Sequence, residues 1–349
     1  MGERIATLKY LDPVGAVQEF PHRNFMHERT IRDGREVPEL LPGPLLEQMD
    51  SFGFGLQPVP ASTASLPELR DPDARKKEYT PRLLEWLQRA TGAVHVRTVN
   101  AVLRRSLPGA ATDEDRDAMS RNHFVPGKGE FTGAIDGVHS DYTDDSKLVQ
   151  LARAVQVDQG LHGGRWIAVN CWRPISEGPV SCWPLAICDG RSVDARHLRA
   201  RETPENNNWV LNAMPEGEHQ VSYSSSPPGF RLRARTIPIC KIIAPFAWQW
   251  YWFPNMTSDE MIVFKSWDET TADSIDDPAN SSDIPLLERI QADPSHPKCV
   301  LHTGFPDSAS PKDAPPRESL EIRALLFWPP CGSGGHGHGH EDGHSVAKL

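Results

Sequence analysis

The chain places a histidine and an aspartate two residues apart, His139 and Asp141, within the segment 137–142. Side chains alternate between the two faces of a β-strand, so this spacing puts an imidazole and a carboxylate on one face. Two histidines and one carboxylate on one face of a metal are typical of non-haem Fe(II) sites. The pair therefore predicts two of the three ligands of an iron centre.

The third ligand must come from elsewhere in the chain, and His302 is the preferred candidate, with His296 as the alternative. His302 lies in a short apolar segment, residues 299–305, where an imidazole is more often a ligand or a hydrogen-bonded core residue than a solvent-facing side chain. A lone His-x-Asp also occurs by chance, with both side chains facing solvent. The presence of a third ligand decides between the two interpretations.

Arg317 and Ser319 follow His302 and share one face of the next predicted strand. A guanidinium presents a rigid fork of donors that matches a carboxylate, and the serine hydroxyl adds another donor. The pair predicts a clamp for the distal carboxylate of a keto acid that chelates the metal through its other end. Arg323 has the same parity and is a rival for this role.

Other side chains are candidates for the substrate pocket. Leu325 and Phe327 share the parity of Arg317, so they either line the interior of the fold or pack in its core. Arg173 either binds a substrate carboxylate or pairs with a nearby acid such as Asp189, and the structural pairing is favoured.

The elements that must position these residues are mostly short strands. Strands are predicted at 94–103, 131–138, 165–172, 184–188, 219–224, 246–253, 260–266, 298–304 and 318–328. Helices are predicted at 81–90 and after residue 145, the second with the apolar face Leu148, Leu151, Ala152 and Val155. Short strands separated by proline and glycine, without βαβ alternation, predict a mainly β protein with flanking helices (α+β) and a sandwich or jelly-roll core.

Three segments differ in composition. Residues 1–94 are punctuated by proline and weakly periodic, which is typical of an N-terminal arm with peripheral helices that pack on a core. Residues 95–330 contain the predicted strands. Residues 331–349 are rich in glycine and histidine and are predicted to form a disordered tail, so their histidines are excluded from the site.

Composition limits the functions. The formal charge of −10 argues against nucleic-acid binding, which needs clustered lysine and arginine, and no apolar run approaches the roughly 20 residues of a membrane span.

Six scattered cysteines indicate reduced thiols and a cytoplasmic protein. The final residues 347–349, Ala-Lys-Leu, are a variant of the peroxisomal address, for which chance is the favoured explanation. Nothing in the sequence indicates an oligomeric state.

The residues described above resemble the AsaB-type hydroxylase/desaturase family, a branch of Fe(II)/2-oxoglutarate-dependent oxygenases that includes CmcJ-like proteins. The resemblance covers about residues 95–328 and is carried by the blocks 138–142, 170–175, 184–189, 252–256, 302–305 and 316–325. The chain departs from the family pattern at Trp267, where a tyrosine is expected, and in its glycine-rich tail.

The resemblance implies a double-stranded β-helix in which His139, Asp141 and His302 hold Fe(II). It also implies that Arg317, with Ser319, binds 2-oxoglutarate, and that O2 is the second co-substrate. The expected activity is hydroxylation, desaturation or oxidative cyclisation of a small specialised metabolite derived from an amino acid, peptide or polyketide. One alternative is a non-catalytic accessory partner of another tailoring oxygenase or methyltransferase. A methyltransferase is disfavoured because no Gly-x-Gly motif joins a strand to a helix.

Overall fold

The computed structural model describes residues 2–11, 24–60, 66–109, 111–112, 115, 131–142, 146–193, 198–203, 208–213, 248–269 and 297–330. The predicted strand at 219–224, the alternative ligand His296 and the predicted tail at 331–349 lie outside them. Within the described ranges, no helix combines the length and the apolar character needed to cross a membrane.

The described residues contain fourteen strands and five α-helices. The strands are β1 Glu3–Leu11, β2 Asn24–Asp33, β3 Phe54–Pro58, β4 His95–Arg105, β5 Phe131–Gly133, β6 His139–Ser140, β7 Trp166–Pro174, β8 Leu185–Cys188, β9 Leu198–Thr203, β10 Asn208–Ala213, β11 Trp250–Trp252, β12 Glu260–Glu269, β13 His302–Gly304 and β14 Glu318–Phe327. The helices are α1 Leu45–Phe52, α2 Leu66–Arg70, α3 Pro72–Ala74, α4 Thr80–Thr91 and α5 Lys147–Asp158, with a π-helical turn at Arg75–Tyr79 before α4.

The strands form two sheets in which most pairs are antiparallel. One sheet has eight strands in the order β1-β2-β11-β8-β13-β6-β10-β9. The other has six strands in the order β3-β12-β7-β14-β4-β5. Neighbours in each sheet are often distant in sequence, so the arrangement depends on contacts between remote segments.

An apolar layer fills the space between the two sheets. Phe264 of β12 and Trp172 of β7 come from the six-stranded sheet, and Ile187 of β8 and Tyr251 of β11 come from the eight-stranded sheet. All four side chains are buried. Removing this apolar surface from water drives the sheets together. The prediction of a mainly β protein with a jelly-roll core is confirmed.

Strand β14 shows how alternation directs side chains to opposite faces. Leu320, Ile322 and Leu326 belong to the apolar cluster that includes Met49 of α1 and Leu83 of α4. The even-numbered residues of β14 therefore pack against the helices outside the six-stranded sheet. Its odd-numbered residues point to the opposite face of the sheet.

The first 94 residues contribute strands to both sheets. β1 pairs with β2, β2 pairs with β11, and β3 pairs with β12. The sequence did not predict β1, β2 or β3. Charged residues interrupt the apolar pattern of β1 and β2, and β3 is a five-residue segment that contains glycine and ends in proline. The helix predicted at 81–90 is confirmed as α4, with proline in its first turn. The division of the chain at residue 94 stays a prediction.

Strand β1 also reaches the segment that precedes β6. Lys9 forms an isolated bridge with Gly137, and the backbone N–H of Val138 donates to the Lys9 carbonyl at 2.8 Å. The Lys9 ammonium lies 3.3 Å from a carboxylate oxygen of Asp136. The N-terminal strand thus contacts the residues directly before His139.

Helix α5 buries three of the four predicted apolar residues, Leu148, Ala152 and Val155. The fourth, Leu151, is 38% exposed, and Val149 is buried instead. The buried face packs with aromatic and aliphatic residues from the ends of β7 and β14. The prediction of this helix is confirmed with a small rotation of its apolar face.

Candidate metal centre

Strands β6 and β13 lie side by side and bring two histidines together. His139 and His302 are direct cross-strand partners, and their ring centroids are 4.3 Å apart. Residues that face each other across an antiparallel pair project their side chains to the same side of the sheet. The structure therefore places His302 where the sequence expected a third ligand.

Asp141 completes the group. It follows β6, and its Oδ1 lies 3.8 Å from Nε2 of His139. One ligand atom from each of the three side chains lies within 4.8 Å of the other two, and all three residues are buried. Two imidazoles and one carboxylate are the donor set of the facial triad that holds non-haem Fe(II).

The ring nitrogens of the two histidines fit a metal site. Nδ1 of His139 lies 2.7 Å from the Gly137 carbonyl, and the tautomer that donates this bond leaves the Nε2 lone pair free on the side of Asp141. Nδ1 of His302 is buried without a hydrogen-bond partner among the described residues. Buried polar groups are normally partnered, so two buried imidazoles beside a buried carboxylate fit a group that a metal completes.

Burial keeps both imidazoles neutral. Burial and repulsion from His139 lower the pKa of His302 to about 3. Burial also lowers the pKa of His139, against the opposing effect of Asp141. Burial alone would raise the pKa of Asp141, but neighbouring positive charges, above all that of Arg323, outweigh it and hold that pKa well below its ordinary value. The site thus offers neutral nitrogens and an ionised carboxylate, the forms that bind a metal.

Both oxygens of the Asp141 carboxylate accept hydrogen bonds. Nη2 of Arg323 donates to Oδ1 at 2.9 Å, and the Ser266 hydroxyl donates to Oδ2 at 3.2 Å. The same Arg323 nitrogen lies 3.9 Å from Glu321, whose carboxylate is 3.4 Å from Nε of Arg104. A row of alternating charges therefore leads from the metal group along β14 to β4.

Arg317 differs from Arg323 because no described carboxylate forms a salt bridge with it. Its guanidinium is buried, Nη1 donates to the Ser319 hydroxyl at 2.6 Å, and Nε has no partner among the described residues. The guanidinium lies 5.2 Å from the ring centre of Trp172. Burial lowers its pKa to about 10, so the group remains charged at neutral pH. A buried, unpaired cation fits an anionic ligand.

Two backbone features hold Arg317 near the histidines. The Ser106 hydroxyl accepts from the Arg317 backbone N–H at 2.9 Å, and the Ser106 N–H donates to the Arg317 carbonyl at 2.8 Å. Gly304, two residues after His302, lies close by. A Cβ at Gly304 would sit 3.9 Å from Nη2 of Arg317 and 3.1 Å from the Ile135 carbonyl, so the missing side chain lets these segments approach.

The predicted pocket residues Leu325, Phe327 and Arg173 are all buried. Leu325 and Phe327 are fully buried in the cluster that packs against α5, which agrees with the core alternative. Arg173 lies in β7 and donates its Nε to the Ser258 carbonyl at 2.8 Å, with its guanidinium over the ring of Tyr79. Tyr79 belongs to the cluster on the helix side of the sheet, so this placement does not favour a substrate contact. Asp189 is paired with Arg191 instead.

Sequence reasoning missed four polar residues of this region: Ser266, Arg104 and Asn170, which are buried, and Glu321, which is partly buried. Glu321 and Asn170 could have been found, because Glu321 shares the parity of Ser319 and Asn170 lies within a family block. Asn170 is the cross-strand partner of Arg323, and its Oδ1 is buried without a described partner. Ser266 carries no such signal, because its orientation depends on an irregularity in β12.

A family model described as an oxidoreductase/YMDC permease-like domain matches residues 15–227 and 231–327. The hydroxylase/desaturase efuI of Hormonema carpetanum is 26% identical over 288 residues, which cover 80% of this chain and 78% of that protein. The Fe(II)/2-oxoglutarate-dependent dioxygenase nvfI of Aspergillus novofumigatus (strain IBT 16806) is 25% identical over 297 residues, which cover 80% of each. The hydroxylase/desaturase asaB of Aspergillus flavus is 26% identical over 167 residues, 47% of this chain and 56% of that protein.

The fold is similar to that of a solved structure, the iron and alpha-ketoglutarate-dependent endoperoxidase NvfI. The two superpose with a TM-score of 0.61 at 19% identity, over 93% of this chain and 98% of that one. This likeness confirms the predicted fold. With a family model that spans most of its length and relatives that carry these names, the chain belongs to this oxidoreductase family, the AsaB-type hydroxylases/desaturases.

Proposed function

We propose that this chain is an Fe(II)/2-oxoglutarate-dependent oxygenase that hydroxylates, desaturates or oxidatively cyclises a small specialised metabolite. In this proposal His139, Asp141 and His302 hold the iron, and Arg317 with Ser319 holds the distal carboxylate of the co-substrate. The observation that carries it is the buried guanidinium of Arg317, which has no carboxylate partner among the described residues and lies beside Gly304, two residues after His302 of the buried His-Asp-His group. The names of the relatives, which include dioxygenases and hydroxylase/desaturases, support the same class of reaction.

The charges of the region suit a divalent metal and a dianionic keto acid. The described charged groups of the region are the buried Arg104, Arg317 and Asp141 and the partly buried Arg323 and Glu321. The arginines exceed the carboxylates by one charge, and a divalent cation would increase that excess. Uncompensated charge is costly in a buried site, so a ligand with two negative charges stabilises the arrangement.

When bound, the iron with 2-oxoglutarate and O2 supplies an oxidant strong enough to remove hydrogen from an unactivated C–H bond. The protein binds and orients the reactants. Arg317 and Ser319 fix the co-substrate by its distal carboxylate, and the buried surroundings of the three ligands exclude bulk water. Arg323, a rival for the clamp in the sequence, contacts Asp141 at 2.9 Å, so we assign it to orienting that carboxylate.

The accessory-partner alternative is less well supported. A scaffold without catalysis gains nothing from a buried metal-ligand set together with a buried arginine that no described carboxylate pairs with, since both cost stability unless a ligand completes them. The negative charge and the scattered cysteines support a protein of the cytoplasm that binds a small molecule and no nucleic acid.

Anaerobic titration of the apo-protein with Fe(II) and then 2-oxoglutarate tests the proposal. The readout is the visible charge-transfer band of the iron chelate. Wild-type protein should show the band, and His302→Ala should lose it. Arg317→Ala should need about 100-fold more 2-oxoglutarate, because two charge-assisted hydrogen bonds are lost.

Arg173→Ala is the matched control, because it removes another buried arginine from the helix side of the sheet. It should leave the affinity for 2-oxoglutarate unchanged. A folded, iron-loaded wild-type protein without the band would overturn the oxygenase proposal in favour of the accessory partner. Equal losses of affinity in Arg317→Ala and Arg173→Ala would overturn the assignment of the clamp.

A further inference from the structure

Strand β12 contains a β-bulge at Ser266. In its pairing with β7, Lys265 faces Val169 and Trp267 faces Ala168, so Ser266 is left without a partner. A bulge inserts one residue into a strand and changes the direction of the side chains around it, and bulges are frequent near active sites. Ser266 is almost fully buried and lies next to the metal group.

The bulge is bonded to both segments that carry metal ligands. The Ser266 hydroxyl donates to Oδ2 of Asp141 at 3.2 Å, and the Ser140 hydroxyl donates back to the Ser266 carbonyl at 3.4 Å. The backbone N–H of Val300, two residues before His302, donates to the Lys265 carbonyl at 3.0 Å. A shift of the bulge would therefore move groups that touch both sides of the site.

A set of four charged residues, called here the buried charge cluster, fixes the same bulge: Lys265, Asp268, Asp50 and Arg165. The ammonium of the fully buried Lys265 lies 2.5 Å from Asp268 and 3.0 Å from Asp50. Arg165 binds the same two carboxylates and contacts Asp268 through two nitrogens, at 3.1 and 2.7 Å. The cluster links α1 to β12, and its charges are balanced.

We propose that Ser266 is a positioning residue for Asp141 and that the buried charge cluster holds the bulge that presents it. The inference rests on the proposed function and deepens its account of the metal site. The Ser266 hydroxyl occupies Oδ2 and leaves Oδ1, the oxygen nearer to His139, to face the metal. A carboxylate oxygen accepts more than one partner, so Oδ1 also accommodates the bond from Arg323.

Controlling the carboxylate matters because a facial triad must leave coordination positions open for the co-substrates. A carboxylate with both oxygens free can bind a metal through either or both of them. A hydroxyl that donates to one oxygen competes with the metal for that oxygen, and so favours a single bond through the other. Residues that orient metal ligands in this way typically change metal affinity by 10–100-fold when they are replaced.

The test uses Co(II) as the probe and the full-length apo-protein under anaerobic conditions. Affinity comes from the titration, and the intensity of the Co(II) d–d bands reports the coordination number. Ser266→Ala should bind Co(II) about tenfold more weakly, because the Asp141 carboxylate is no longer held in one orientation. The band intensity should also change, because Asp141 becomes free to bind through two oxygens. Ser266→Thr retains a hydroxyl and should restore both properties.

Ser192→Ala is the matched control, since Ser192 is also buried and donates to the Asp189 carbonyl at 2.7 Å. It should leave both the affinity and the bands unchanged. If Ser266→Ala does not fold, Ser266→Cys takes its place under the same criteria, because a thiol is a weaker donor of similar size.

Three results would overturn the inference. If folded Ser266→Ala or Ser266→Cys protein gives the same Co(II) spectrum as wild type, the inference is overturned and the proposed function is not affected. Equal effects of alanine and threonine would show that the hydroxyl is not responsible. Failure of wild-type protein to give a Co(II) spectrum that depends on His302 would overturn the proposed function, and this inference with it.

Discussion

The residues of the metal group are held in binding-competent forms before any metal arrives. Burial keeps the two imidazoles neutral, and neighbouring positive groups keep Asp141 ionised. Each of these effects comes from the surrounding protein, so the ligands do not depend on the metal for their protonation state. Their behaviour should therefore differ from that of free imidazole and carboxylate groups.

Metal affinity should respond weakly to mild acid. A histidine must be unprotonated to bind a metal. The pKa of His302, lowered to about 3, lies below mildly acidic pH, so this ligand stays unprotonated there. We expect the Co(II) dissociation constant to change by less than about threefold between about pH 7.5 and about pH 5.5. Two histidines with an ordinary pKa near 6.5 would lose about 100-fold over the same interval.

Isothermal titration at the two pH values measures the difference, with circular dichroism to check that the fold is intact. A loss approaching 100-fold in folded protein would contradict the conclusion that burial keeps both imidazoles neutral.

At the scale of elements, strand alternation and one bulge organise the site. β14 directs its even-numbered residues to the helices α1 and α4 and its odd-numbered residues to the opposite face, where Arg323 reaches Asp141 and Leu325 and Phe327 pack against α5. A slip of one residue in its pairing would reverse these faces and remove every polar contact at once. β12 instead places Ser266 by an interruption of its pairing, which the buried charge cluster keeps in one position.

Asp268→Asn should destabilise the fold by about 3–5 kcal/mol, because it leaves the buried ammonium of Lys265 incompletely paired. Chemical denaturation at constant m-value measures the loss. The double substitution Lys265→Met with Asp268→Leu should recover much of it, since it removes both charges.

Glu85→Gln provides the control for an ion pair on the surface. Glu85 and Arg89 form an exposed pair one turn apart in α4, with side chains 68% and 70% exposed. Its loss should cost less than about 0.5 kcal/mol. If Asp268→Asn and Glu85→Gln lower the free energy of unfolding by the same amount, the charge cluster does not hold the bulge.

At the scale of the whole molecule, the N-terminal strand braces both sides of the metal group. Lys9 contacts the segment before His139, as described above. At the other end of β1, Arg4 pairs with Asp307, which follows β13, and its guanidinium lies 4.6 Å from the ring centre of Trp252. The first strand is thus part of the structure that keeps β6 and β13 together.

Two residues on opposite faces of β1 test this brace. Leu8 is 1% exposed and belongs to the core, whereas Ile5 is 67% exposed. Leu8→Ala should destabilise the protein by about 2–5 kcal/mol through the cavity it leaves. Ile5→Ala should change stability by no more than about 0.5 kcal/mol. Thermal unfolding measures both, and similar effects at the two positions would exclude a packed β1.

The sequence predicted the parts of this architecture that depend on local spacing. His139, Asp141, Arg317 and Ser319 were found because alternation within a strand is a local rule. The pairing of β1 and the bulge at Ser266 could not be predicted, because both depend on strands that are remote in sequence. The face of Leu325 and Phe327 was predicted, but their packing against α5 was not.

The contacts around Asp141 also determine when the site can exist. Asp141 is bonded to Ser266 and Arg323, which lie 125 and 182 positions further along the chain. Contacts across such long loops form late, since the entropy of loop closure must be overcome first. We therefore expect the site to assemble on a growing chain only after Arg323 of β14 has emerged. Iron would then not nucleate this fold as zinc does in a zinc finger. We expect it to be loaded onto a folded apo-protein.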